Sequence, residues 1–285
     1  MDFSIDIGGF KVHLVSGGKN RLDGGGMLGI LPKEIWNHWY PADEKNRIAL
    51  ETHCLLVETE SDLVLIESGC GNKLGEKERA FYSVAENDWI GKNLEDKGVS
   101  PADVTKAILS HLHTDHAGGV VTRDTQGDLA PTFPNAEVFV SEQEYETARL
   151  GKGITPNAYN PDNYKLLEES GRLRKVDSNS SVLPGFRLLP TPGHTQGHVS
   201  VLIEGTKDKV VFTGDLLPLA RQVVPHFNMA YDTHPVDKAE TKKEFFRMAR
   251  EENWLLVLSH DPNTAVCRVQ FDEEKNRYSL VDVRS

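Results

Sequence analysis

Ser110-His111-Leu112-His113-Thr114-Asp115-His116-Ala117-Gly118-Gly119 places four potential metal ligands within six residues, straight after the apolar run Val104 to Ser110. That run reads as a short strand. On an extended backbone, side chains two apart project to the same side, so His111 and His113 can bind one ion together. Where the chain turns, Asp115 and His116 can face a second. A lone histidine is more often structural, but three histidines and an aspartate packed this closely favour metal.

Two ligands apiece leave each ion short of a closed shell, so the rest of the chain has to supply at least one more for each. Three strand ends offer one: His194 in TPGHTQGH, Asp215 at the end of KVVFTGD, and His260 at the end of LLVLSHD. Loops gather at such ends and carry sites. Neutral imidazoles and carboxylates suit zinc and also tolerate iron or manganese. Two divalent ions about 3.5 to 4 Å apart can share a water and lower its pKa towards 7, so no serine or cysteine nucleophile is needed.

The rest of the chain sets bounds on partners. With 285 residues, 38% hydrophobic and 26% charged, it has the composition of an ordinary globular protein that buries a sizeable core. A formal charge of −11, with no run of Lys and Arg, argues against a nucleic-acid partner. The N-terminus lacks a basic segment followed by an apolar one and no window reaches a membrane span, so the expectation is a cytoplasmic protein without a membrane partner. Cys54, Cys70 and Cys267 are far apart and form no CxxC pair, so neither disulfides nor a thiolate zinc site are expected.

Along the chain, FKVHLV, THCLLVET and DLVLIESG read as strands, the last two forming a hairpin around Glu60-Ser61-Asp62. Spaced apolar positions between 73 and 98 predict one or two amphipathic helices ending at Gly98. AEVFVS is a strand, and Ser141 followed by Glu144 predicts a capping box on a helix closed by Gly151. Residues 151–164 read as a surface loop. Then come three strands, GFRLLPTPG, HVSVLIEG and KVVFTGD, an amphipathic helix over Asp237 to Trp254, the strand LLVLS, and a last hairpin around Asp272 to Arg277. The acidic stretches Glu142 to Glu146 and Asp272 to Glu274 read as solvated faces. Strands and helices in both halves, with no long linker, predict α/β sheets between helical layers in one domain over 1–285.

HxHxDH, a distant histidine in a GHTxGH context, an aspartate in a TGD turn and a late histidine together resemble the metallo-β-lactamase superfamily. The resemblance spans residues 50 to 262 and implies an αββα sandwich with metals at one edge. It implies that His111, His113 and His194 hold the first ion, that Asp115, His116 and His260 hold the second, and that Asp215 bridges them. Asp115 would also move the proton as a tetrahedral intermediate collapses. DGGGMLGILPKEIW, YPADEKNRI, GDLLP, AYDTHPVDKAETKK and SHDP are further similar to YtnP-like proteins, which implies a quorum-quenching lactonase.

Three departures bear on the substrate. Pro218 stands where better-known acyl-homoserine lactonases carry a tyrosine, three residues after the bridging aspartate. Glu67-Ser68-Gly69 replaces a DTG in which the aspartate usually orients a metal histidine. Leu219 and Ala220 stand where the resemblance leads one to expect Thr and His. The apolar residues between Met27 and Trp39 read first as core, with a pocket wall for an acyl chain or a homodimer contact as alternatives. Met27 and Trp36 are the wall candidates there, with His226, Phe227 and Tyr231 opposite, and Tyr231 is the candidate to replace the missing tyrosine. The expected substrate is a small-molecule lactone. A glyoxalase II type of thioesterase, an organophosphate hydrolase and a single-iron persulfide dioxygenase are the competing readings. The first normally adds a helical C-terminal domain, whereas about 25 residues follow His260 here.

Overall fold

The computed structural model describes residues 3–152 and 158–283. Apolar residues alternate along the long strands, and that alternation builds the layers. In β3 (Arg47–Glu58), Leu55 and Val57 point to one face while Cys54 and Leu56 point to the other, and all four are buried. Both faces of this sheet are therefore covered.

The first sheet is made of β1 (Ser4–Asp6), β2 (Lys11–Asp23), β3, β4 (Leu63–Ile66), β5 (Lys106–Ile108), β8 (Glu137–Ser141) and β9 (Leu173–Val176), in that order. It is antiparallel as far as β4 and parallel from β4 to β9. Between β5 and β8 lies a separate ribbon of β6 (Val121–Arg123) and β7 (Leu129–Pro131). The second sheet runs in chain order through β10 (Ser181–Leu183), β11 (Phe186–Pro190), β12 (Val199–Glu204), β13 (Lys209–Phe212), β14 (Leu255–Val257), β15 (Val266–Asp272) and β16 (Arg277–Asp282). Only β13 and β14 pair in parallel.

Between the sheets, Val12, Leu14, Leu55, Val57 and Ile108 meet Phe186, Val201, Val210, Phe212 and Leu255 in one apolar layer. Among the described residues the helices run in the order α1 (Gly24–Leu28), α2 (Lys33–Trp36), α3 (Glu76–Tyr82) and α4 (Ile90–Glu95). They are followed by the single turn α5 (Thr114–Ala117), then α6 (Glu142–Arg149), α7 (Lys165–Glu169) and α8 (Pro235–Glu251). Ile90, Leu94, Tyr145 and Leu167 cover the first sheet, and Phe245, Phe246 and Ala249 of α8 cover the second. The order is helix, sheet, sheet, helix, the αββα sandwich expected from the sequence. No helix among the described residues is long and apolar enough to cross a membrane.

The expected hairpin, the helices before Gly98 and the closing hairpin are present. The three cysteines are buried and none forms a disulfide. Two elements differ from expectation. β2 continues well past FKVHLV to Asp23, because a bulge at Gly17-Gly18 shifts its register against β3 and lets the ladder resume at Lys19. Gly17 lies so close to Gly69 that a Cβ would stand 3.1 Å from the Gly69 Cα, and Gly18 has φ 109°. The loop expected over 151–164 falls partly on 153–157, outside the described residues. Its far end turns inward, where Tyr159 is buried and bridges to His113.

Candidate metal centre

Five strand ends and turns of the two sheets converge on one edge. Glu67 follows β4, the segment His111 to His116 follows β5, His194 lies in the turn from β11 to β12, Asp215 follows β13 and His260 follows β14. His113 ends the extended stretch, and Asp115 and His116 fall within the turn of α5.

The seven expected ligands meet there. His194 Nε2 is 2.9 Å from His113 Nδ1, and the His111 and His113 rings are 4.6 Å apart. On the other side, His260 Nε2 is 3.1 Å from His116 Nε2 and 3.6 Å from Asp115 Oδ2. Asp215 lies between, with Oδ2 3.3 Å from His194 Nε2 and Oδ1 3.3 and 3.2 Å from the Nε2 atoms of His116 and His260. Three overlapping ligand groups result: His111, His113 and His194; His111, His116 and Asp215; Asp115, His116 and His260.

These donors fit metal ions. Three of the histidines have their outer nitrogen engaged: His116 Nδ1 donates to Glu67 Oε2 at 2.5 Å, His194 Nδ1 to Asp232 Oδ1 at 2.8 Å, and His260 Nδ1 to the Glu51 carbonyl at 2.9 Å. An imidazole that donates outward through Nδ1 turns the Nε2 lone pair to the centre, the tautomer a metal requires. His111 Nδ1 lies 3.0 Å from Ser110 Oγ, and its buried Nε2, like that of His113, has no hydrogen-bond partner among the described residues. Lone pairs facing one another at hydrogen-bond distance call for a cation.

The electrostatics agree. Burial and the neighbouring imidazoles push His111 well below its ordinary pKa and His113 down to about 3, so both stay neutral. Burial opposes charge on His116 too, but Asp215, Asp115 and Glu67 overcome it and raise that imidazole well above its usual value. At Asp215 burial is outweighed by His116, His194 and His260, which hold the carboxyl well below the carboxylate range. Where no ion is bound, a proton on His116 supplies the positive charge the carboxylates demand.

Residues outside the ligand set account for the motifs. His198, the second histidine of GHTxGH, accepts the Asp215 N–H at Nε2 (2.9 Å) and donates from Nδ1 to the Thr191 carbonyl at 3.0 Å. It aims the bridging position. Gly214 of TGD has φ 51°, and a Cβ there would stand 2.5 Å from His198 Nε2. Glu67 replaces the shorter aspartate yet still reaches its histidine, while Oε1 accepts the Ser110 N–H at 2.5 Å. Pro218 accepts the His260 N–H through its carbonyl at 3.1 Å.

Glu144 departs from expectation. Ser141 caps α6 by accepting the Glu144 N–H, but the Glu144 carboxylate does not reach back to form the predicted box. It is fully buried and accepts from Leu112 N at 3.0 Å, Tyr159 OH at 3.0 Å and Thr195 Oγ1 at 2.5 Å. The supposed solvated face therefore sends one carboxylate under the metal-ligand loop. Asp232 and Lys238 also support the site without having been singled out. Lys238 Nζ donates to Asp232 Oδ1 at 2.8 Å and Oδ2 at 2.9 Å, and the same aspartate holds His194.

A cavity of about 320 Å³ opens onto the cluster, lined by Met27 and Tyr231 as expected. Trp36, His226 and Phe227 are not among its lining residues. Trp36 is buried under Gly24, where a Cβ would strike its ring, His226 is exposed, and Phe227 packs on the core around Met27. Leu22, Leu74 and Met229 supply apolar wall instead, with Asn20, Cys70, Phe81 and Tyr82 also lining it.

The model of the metallo-beta-lactamase superfamily matches residues 47–260. The chain belongs to that superfamily. Similar members include an N-acyl homoserine lactonase of Bacillus cereus, 33% identical over 181 residues, covering 58% of this chain and 63% of the relative. The chain thus spans under two thirds of that protein. An N-acyl homoserine lactonase of a Bacillus sp is 32% identical over 213 residues, covering 69% and 71%. A solved probable metal-dependent hydrolase from Staphylococcus aureus has TM-score 0.85 at 28% identity, covering 99% of this chain and 100% of that one. Its clustered histidines and aspartates give this superfamily member the donor set for metal ions.

Proposed function

We propose that this chain is a metal-dependent ester hydrolase that opens lactone rings of the acyl-homoserine lactone type. The observation that carries the reading is the cavity over the ligand cluster. Its floor contains His113, Asp115, His194, Asp215 and His260, and its walls include Leu22, Met27, Leu74 and Met229. An acyl chain can lie along those walls while a lactone carbonyl meets the floor. The names of the Bacillus relatives support the same substrate class.

When bound, two divalent transition-metal ions, zinc best matching these donors with iron or manganese tolerated, supply hydroxide at neutral pH and polarise the carbonyl. The chain's own residues determine the geometry. His111, His113 and His194 would hold one ion and Asp115, His116 and His260 the other, with Asp215 shared between them. The Asp115 side chain is 25% exposed against 6% for Asp215. It is placed to take the proton of the attacking oxygen and return it to the ring oxygen. One C–O bond forms, the ring C–O bond breaks, and the hydroxy acid leaves as its carboxylate, with release of one proton.

Metal-replete enzyme should contain about two ions per chain and lose activity to a chelator. Asp215→Ala should lower kcat far more than it disturbs folding. An indicator assay in weak buffer, run over lactones of increasing acyl length, reads the released proton. Turnover of a glutathione thioester or a phosphotriester with no lactone opened would overturn the substrate reading. One iron per chain with oxygen uptake on a persulfide would overturn the hydrolytic one.

A further inference from the structure

Lys242 lies within α8 with its ammonium fully buried, yet the three groups it bonds are neutral. Nζ donates to the Gln222 carbonyl at 3.1 Å, to the Phe227 carbonyl at 2.8 Å and to Asn228 Oδ1 at 3.1 Å. Lys238, one turn earlier on the same face, takes the carboxylate of Asp232. Burying an ammonium on neutral oxygens is costly, and an apolar side chain would suit the interior better. What the ammonium alone supplies is three donors at one point.

All three acceptors belong to one segment, 222–228, which leads straight into the cavity wall at Met229 and Tyr231. Asn228 Nδ2 donates to the Pro235 carbonyl at 2.7 Å and closes the segment onto the start of α8. Gln222 Nε2 donates to the Met27 carbonyl at 2.8 Å and so ties in α1, whose Gly26 carbonyl accepts the Ala230 N–H at 2.8 Å. Met27, Met229 and Tyr231 pack in an apolar cluster of their own, whereas Phe245, Phe246 and Ala249 of α8 pack on the second sheet. The Lys242 ammonium joins the two.

We infer that Lys242 is a positioning residue for substrate selectivity, seating the cavity wall of Met229 and Tyr231 and so deciding how well an acyl chain is held. The inference rests on the lactone reading and assigns its chain selectivity to a residue that touches no substrate. An apolar pocket distinguishes chains by the fit of a few methylenes, and a wall that shifts loses that fit. The lactone ring, met by the floor of the cavity, depends on it less.

The test compares N-butanoyl and N-decanoyl homoserine lactone, which share ring and amide and differ in chain length, as substrates for metal-loaded wild-type enzyme, Lys242→Met and Gln222→Leu. Methionine keeps most of the lysine stem and removes the donors. Gln222→Leu cuts only the tie to Met27, since Gln222 Oε1 has no hydrogen-bond partner among the described residues. The decanoyl-to-butanoyl ratio of kcat/KM should fall by about tenfold in Lys242→Met and by about threefold or more in Gln222→Leu, beyond any loss common to both lactones. A merely structural role would lower both lactones alike and leave the ratio at its wild-type value, and that result in a folded variant overturns the assignment. If Lys242→Met does not fold, Gln222→Leu decides. Wild-type enzyme that opens neither lactone overturns the lactone reading itself, and this assignment with it.

Discussion

Glu67 and His116 face each other in the interior at 2.5 Å, and Glu67 holds that position from a left-handed backbone, φ 67°. A non-glycine residue there costs of order 1–3 kcal/mol and persists where its surroundings over-determine it. The carboxylate does so by joining two strand ends, through Ser110 N–H on one oxygen and His116 on the other.

Glu67→Gln should therefore weaken metal binding at the position of Asp115, His116 and His260 by about 10- to 100-fold. The amide can accept one of the two hydrogen bonds but presents a donor to the other. Competition with a coloured chelator measures this position by position. Unchanged affinity would show that the His116 orientation is fixed by packing alone.

Glu144→Ala should lower stability by several kcal/mol, since it strands three buried donors at about 1–3 kcal/mol each. Those donors lie beside His111, His113 and His194, so metal affinity at that position should fall too. Glu144→Gln keeps two acceptor directions and should lose less. Urea unfolding of the metal-free variants separates the two effects. An alanine variant as stable as wild type would mean that water replaces the carboxylate.

Much of this was legible. His111, His113, Asp115, His116, His194, Asp215 and His260 differ in kind from their apolar neighbours, so the ligand set could be read from strand ends. The supports were not legible because they follow the pattern of a solvated surface. Glu144 sits in an acidic run, and Lys238 and Lys242 fall at positions an amphipathic helix normally gives to water. Both lysines are fully buried, Lys242 donating to the carbonyls of Gln222 and Phe227 and to Asn228 Oδ1. Trp36 was misplaced because a large aromatic beside glycines suits a pocket and a core equally well, and only its contact with Gly24 decides.

Lys238→Met should destabilise the protein by about 3–5 kcal/mol, because it leaves Asp232 buried without its cation. Burial works to raise the Asp232 carboxyl, and Lys238 and His194 overcome it and hold it below 3.8. A depressed folded pKa gives stability that is present above the unfolded value and lost as pH falls through the folded one. Removing Lys238 raises the folded value, so the acid transition should begin at higher pH. Melting temperatures from pH 3 to 7 would show it. Parallel curves for variant and wild type would exclude the ion pair as the cause.

Tyr231 borders the cavity, and its hydroxyl is backed by Gly26, where a Cβ would stand 2.1 Å from that oxygen. Burial, with Asp23, Tyr82 and Asp115 adding to it, pushes the phenol up to about 12, so at neutral pH it keeps its proton and can donate it. Pro218 supplies no hydroxyl at its own position, and we propose Tyr231, on the cavity wall, as the donor to the oxygen that gains charge during attack. Tyr231→Phe should then lower kcat by about 10- to 100-fold on a lactone, the scale of losing one such donor, with KM and melting temperature little changed. Gly26→Ala should reproduce that loss without touching the phenol, because the new methyl displaces the hydroxyl it now backs. Tyr82→Phe serves as the control, a second phenol on the same wall whose removal should cost much less. A Tyr231→Phe enzyme with wild-type kcat, or a Gly26→Ala enzyme that melts earlier yet turns over normally, would remove Tyr231 from the reaction and leave the carbonyl to the metal ions alone.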